Sequence, residues 1–97
     1  MARSPSPHTR RVLAMLADTP AAWRHGYDIA KATGTASGTL YPMLIRLEAQ
    51  GVLEAEWQAP TEPGRPPRHA YRLTAAGRRM AAALARDAHM PVAAVTA

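Results

Sequence analysis

Three hydroxyls and three guanidiniums are spaced as a set that holds polyanions. Ser37, Thr39 and Tyr41 alternate within SGTLYPMLIRLEAQGVL at 37–53, Arg46 follows in the same stretch, and Arg65 and Arg68 lie in GRPPRHAYRLT at 64–74. Donors at a helix start meet phosphate oxygens beside the positive end of the helix dipole, and an arginine fork fits phosphate or the O6/N7 edge of guanine. No comparable set suggests catalysis. His8, His25, His69 and His89 are expected as isolated surface residues without a ligand partner one helical turn away. The carboxylates Asp18, Asp28, Glu48, Glu54, Glu56, Glu62 and Asp87 are scattered, and Glu54 and Glu56 on one strand read as solvent-facing rather than as an acid/base pair. Cysteine is absent, which excludes disulfides and thiolate sites. Neither an enzyme, a metal site nor a cofactor is expected.

Charge agrees with a polyanionic partner. Eleven arginines and one lysine against seven carboxylates give a net charge of +5, with a pI near 10.8, and such a balance favours nucleic acid. At 97 residues the chain is one small domain with a modest core, so a partner chain should add burial. The apolar run 12–17 is too short for a signal-peptide core or a membrane span, which gives a cytoplasmic expectation and no membrane partner.

The elements that must position these groups follow from periodicity. Residues 1–7 read as a flexible Pro/Ser segment in which Ser6-Pro7 caps a first helix over 8–17, with Val12, Leu13 and Leu16 inward and Arg10 and Arg11 in water. A second helix over 27–33, with Ile29 and Ala30 inward, ends at Gly34. A third starts at Ser37 or Thr39 and buries Leu40, Met43, Leu44 and Leu47. Two helices joined by a short turn containing glycine form a helix-turn-helix. Pro42 removes a hydrogen bond unless Thr39 is the cap, and a first turn that is loose or kinked is favoured. Gly51 ends the helix; Leu53, Ala55 and Trp57 then alternate as the inward residues of a strand. Proline and glycine punctuate a basic wing over about 59–69, and a second strand over 70–73 sets Tyr71 and Leu73 on one side. Thr74 caps a last helix over about 74–89, with Met80 and Leu84 four apart, and 90–97 read as a frayed tail. The fold class is mainly α with a small β-hairpin (α+β): a winged helix-turn-helix in one domain over 8–89, with three N-terminal helices, a two-stranded wing and a C-terminal helix.

His25-Gly26-Tyr27, Gly38-Thr39-Leu40-Tyr41-Pro42, Arg46-Leu47-Glu48, Gly51, Gly64-Arg65-Pro66, Tyr71-Arg72-Leu73-Thr74 and Gly77 together resemble the PadR family of winged-helix transcriptional regulators. The likeness spans about two-thirds of the chain. It implies a homodimeric regulator of double-stranded DNA, usually a repressor, whose first and last helices supply the dimer contacts; here those are Val12, Leu13, Leu16, Met80 and Leu84. Only some 20 residues follow the wing, so the chain is similar to the short class, without room for a large effector-sensing module. A flat small-molecule effector stacking on a tryptophan at the dimer interface remains an option.

With the third helix in a major groove, Ser37, Thr39, Tyr41 and Pro42 fall at the DNA-facing end and Arg46 is the best single base reader. Gly38, Pro42, Ile45 and Ala49 lie opposite the buried face, where they suit thymine methyls, and DNA shape adds to specificity. Arg65 and Arg68 reach phosphates or the minor groove. Blander readings stand beside these: Tyr41 as a packing residue, Ser37 and Thr39 as caps, Arg46 paired with Glu48 or Gln50, and Trp23 and Trp57 as core or rim aromatics. The rival function is a winged-helix module that uses the same surface to bind protein and not DNA.

Overall fold

The computed structural model describes the backbone of residues 5–96 and the side chains of residues 5–87. The chain runs α1 (Pro7–Asp18), β1 (Arg24–His25), α2 (Gly26–Thr33), α3 (Ser37–Ala49), β2 (Leu53–Gln58), β3 (Arg68–Leu73) and α4 (Ala75–Thr96). Residues 1–4 of the expected flexible segment lie outside the described residues.

Local signals account for most element boundaries. Ser6 Oγ accepts the Thr9 N–H at 3.2 Å, and Pro7 occupies the first turn of α1, where no donor is missed. α2 ends on Gly34 at φ +67°, a left-handed position that costs glycine little. The start of α3 differs from expectation. Its cap is Ala36, so Ser37 and Thr39 are helical residues and neither hydroxyl caps the helix. The Ala36 carbonyl takes the N–H groups of both Thr39 and Leu40, at 3.0 and 2.9 Å, which closes the first turn rather than loosening it. Pro42 therefore sits inside the helix, and its missing N–H leaves the Gly38 carbonyl without its intrahelical donor.

The core joins every element except β1. Val12, Leu13 and Leu16 of α1, Ile29 of α2, Leu40, Met43, Leu44 and Leu47 of α3, and Val52, Leu53, Tyr71, Leu73 and Ala81 form one cluster. Burying one such leucine or isoleucine side chain contributes roughly 1.5–3 kcal/mol, so this cluster outweighs the surface ion pairs.

The sheet has one strand more than the expected hairpin. Its order is β1-β3-β2, with Arg24 opposite Tyr71 and His25 opposite Ala70 on one edge, and Leu53 opposite Leu73 through Gln58 opposite Arg68 on the other. Two residues carry no alternation to read, so only long-range pairing reveals β1. Trp57 also departs from expectation: it lies on the same face as Leu53 but is 70% exposed, because the hairpin carries that face past the edge of the core. Arg10, expected in water, is half-buried and donates from Nε to the Pro5 carbonyl at 3.4 Å.

The junction of α3, β2 and α4 is tightly bonded. Gly51 turns the chain at φ +77°. Thr74 Oγ1 donates to the Gly51 carbonyl at 2.5 Å and accepts the Gly77 N–H at 3.0 Å, while the Thr74 N–H reaches the Val52 carbonyl at 3.0 Å. A Cβ on Gly77 would collide with the Val52 carbonyl oxygen. Thr74 is thus the cap of α4, as expected, but the helix extends to Thr96, beyond the expected end near residue 89 and through most of the expected frayed tail.

Candidate nucleic-acid interface

Since α3 buries Leu40, Met43, Leu44 and Leu47, it turns Gly38, Pro42, Ile45 and Ala49 outward, and all four are exposed. Ser37 and Thr39 are exposed on its first turn, with hydroxyls free of any capping role. Tyr41 is 41% exposed. Its ring rests against the start of α2: a Cβ on Gly26 would stand 2.6 Å from Tyr41 Oη. Gly26 is therefore required for close approach, and Tyr41 combines packing with an accessible phenol edge. Arg46 is exposed on the opposite flank, where it lines a groove with Pro5, Ser6, Thr9, Gln50 and Met80. Among the described residues it has no salt-bridge partner, so the blander alternative of a pairing with Glu48 does not form.

The wing carries the second basic group. Gly64 turns at φ +85° in the loop between β2 and β3. Arg65 is 71% exposed and lies 3.6 Å from the equally open Glu62 carboxylate, a contact of little energetic weight at such exposure. Arg68 is exposed at the first position of β3, opposite Gln58, and shares a surface cleft with Arg65, Pro60 and Pro66. Arg72, on the same hairpin, is unavailable: its Nε donates to Glu54 Oε2 at 3.1 Å and its guanidinium lies 4.3 Å above the Trp23 ring. Arg24 is likewise engaged with Thr19 Oγ1.

Sequence reasoning missed a ladder of rings between wing and helix. Trp57 and His69 stack at 4.3 Å and 8°, His69 follows Tyr71 at 4.8 Å, and Tyr71 Oη and His69 Nδ1 share a hydrogen bond of 3.0 Å. Burial raises the Tyr71 pKa above its ordinary 10.0, and the charges of Glu48 and Tyr41 on α3 push the same way. The only signal in the sequence was the period-two spacing of His69, Tyr71 and Leu73. His25, expected to be isolated, has a partner one turn on: its Nδ1 lies 3.5 Å from Asp28 Oδ2, and its Nε2 is 2.9 Å from Gln58 Oε1 on the wing.

The expected dimer residues divide. Val12, Leu13 and Leu16 are 0%, 1% and 1% exposed within the chain's own core, so they have almost no surface to offer a partner. Their periodicity marked the face that α1 turns to its own sheet and helices. Met80 and Leu84 are only partly buried. Beside Leu84, α1 and α4 leave a cleft of about 380 Å³ lined by Leu13, Ala14, Ala17, Ala81, Leu84 and Ala85 together with the charged Arg10 and Asp18, whereas Met80 lines the groove that holds Arg46. Among the described residues there is no cluster of three metal-ligating side chains, and no helix is long and apolar enough to cross a membrane.

Comparison with known proteins matches this geometry. A PadR-like transcription factor from Bacteroides fragilis superposes with a TM-score of 0.73 at 24% identity, over 92% of this chain and 89% of that one. A PadR-family transcriptional regulator from Eggerthella lenta is 32% identical over 90% of this chain and 78% of its own, with a TM-score of 0.64. MepR of Staphylococcus aureus, in a structure of its DNA complex, shares the fold with a TM-score of 0.67 at 20% identity, over 82% of this chain and 61% of MepR. No curated protein matches. The family model of PadR-like transcriptional regulators matches residues 12–83, and with the helix-turn-helix, the wing and the motifs of α3 inside that span the chain belongs to the PadR-like family.

Proposed function

We propose that the protein is a sequence-specific, double-stranded DNA-binding repressor that acts in the cytoplasm as a homodimer on a pseudo-palindromic operator. The observation that carries this reading is an exposed α3 surface, with its N-terminal hydroxyls free, on the same chain as a wing that holds Arg65 and Arg68 in solvent. Ser37, Thr39 and Tyr41 donate to phosphates around the first turn of α3, Pro42 and Ile45 face the groove, Arg46 forks onto guanine at the edge of the helix, and the wing arginines take phosphates or the minor groove. The partner chain covers the cleft between α1 and α4, so the dimer contacts are Leu84 and the exposed alanines of α1 in place of Val12, Leu13 and Leu16, while Met80 faces the groove beside Arg46. A small flat effector would compete for that same cleft.

Fluorescence anisotropy on the duplex upstream of the protein's own gene and on a shuffled duplex, each titrated over salt, tests the proposal. A preference of about a thousandfold is expected for an operator. The protein-binding alternative has one supporting observation, the exposure of Tyr27, Ile45 and Trp57. It takes first place if neither duplex binds at low salt.

A further inference from the structure

The outward face of α3 lacks the side-chain groups that read bases by hydrogen bonding. Gly38, Pro42, Ile45 and Ala49 are all exposed and none carries a side-chain donor or acceptor, while Ile45 leaves 65% of its surface in water. The polar residues of the helix lie to either side. By helical spacing Tyr41 and Glu48 flank it on one side and Arg46 on the other, toward the start of α1. An isoleucine this exposed costs solvation in the free chain, and an apolar strip flanked by Arg46, on a chain whose wing also holds arginines in solvent, suits a ligand that presents methyl groups between phosphates. In the major groove only the thymine C5-methyl answers to that description among the four ordinary bases.

From this geometry, and resting on the DNA-binding reading above, we infer that Ile45 and Pro42 select half-sites by thymine methyls, with hydrogen-bonded base reading confined to the Arg46 flank. The preferred duplex then carries thymines on the strand edge beneath Ile45, and the protein discriminates thymine from uracil, which differ only in that methyl. Burying one methyl is worth about 0.8 kcal/mol, or about fourfold in affinity for each contact.

The test begins with selection of high-affinity duplexes from a random library by the full chain. Each selected thymine is then replaced in turn by deoxyuridine, and affinities are compared for the wild type and for Ile45→Ala. At one or two positions in each half-site uracil should weaken wild-type binding about fourfold. Ile45→Ala should bring the thymine-to-uracil ratio there close to one and leave the salt slope unchanged, since no phosphate contact is touched. Because Ile45 lies outside the core, the variant stays folded, and its melting curve verifies this. If a sequence is enriched but uracil binds as well as thymine everywhere, or if Ile45→Ala keeps the full discrimination, methyl reading is overturned and the DNA-binding proposal survives. If nothing is enriched, the sequence-specific proposal itself fails and takes methyl reading with it.

Discussion

The junction around Thr74 and the tip of the wing are both dense in motif residues, yet they do opposite work. At the junction Gly51, Thr74 and Gly77 are used up by the fold: a left-handed turn, a hydroxyl shared between two backbone groups, and a helix packed so close to the Val52 carbonyl that no Cβ fits. At the wing tip Gly64 turns the chain, and the arginines beside it are held by nothing stronger than one solvent-exposed ion pair. Residues that saturate one another stabilise the protein, whereas residues left unsaturated are free to meet a ligand. The junction also ties α4 to the end of α3 and the start of β2.

Substitutions at the two regions should separate accordingly. The largest effect is expected from Gly77→Ala, which drives a methyl into backbone that cannot rotate away. It should cost about 3 kcal/mol in denaturant unfolding, with affinity for DNA restored once the folded fraction is counted. A stable Gly77→Ala protein would break the contrast. Next is Arg46→Ala, with folding intact and a loss of about 1–3 kcal/mol of discrimination at one base position, read by competition between operator variants. Arg65→Ala should leave the melting curve unchanged, weaken binding to every sequence alike, and lower the slope of log affinity against log salt by about 1. Equal losses on all sequences from Arg46→Ala and Arg65→Ala would remove the division between helix and wing.

The smallest effect concerns pH. Tyr71 has a pKa raised by burial, then by Glu48 and Tyr41. Its neutral form is the one the fold accommodates, so its contribution is complete below pH 10 and is lost as pH rises through the elevated folded value. Unfolding followed from pH 9 upward should show declining stability in the wild type and a flatter profile in Tyr71→Phe. That variant also gives up the hydrogen bond to His69, worth about 1 kcal/mol, at neutral pH.

Much of this was legible in the chain itself. The apolar positions of α3 appear in the sequence at helical spacing because that face is buried whole, and Gly34, Gly51 and Thr74 mark element ends through local backbone and capping preferences. Arg65 and Arg68 stood out since a stretch broken by prolines and glycine has no core to enter. Other features were not legible. Ser37 and Thr39 have the composition of caps, but the cap is Ala36 and the helix begins at Ser37, one step earlier than side-chain preference favours.

What the sequence by itself determined is the set of elements apart from β1, the buried face of each helix, and the residue types offered to a polyanion, because periodicity, capping and turn chemistry act over a few residues. What only the tertiary structure decided is which surfaces survive assembly. Val12, Leu13 and Leu16 went to the chain's own core, Arg72 and Arg24 were taken up by Glu54, Trp23 and Thr19, and Trp57 and His69 were carried outward as a stacked pair by a hairpin longer than the core beneath it. Each outcome depends on partners far along the chain, and contacts closed by long loops leave no local pattern to read.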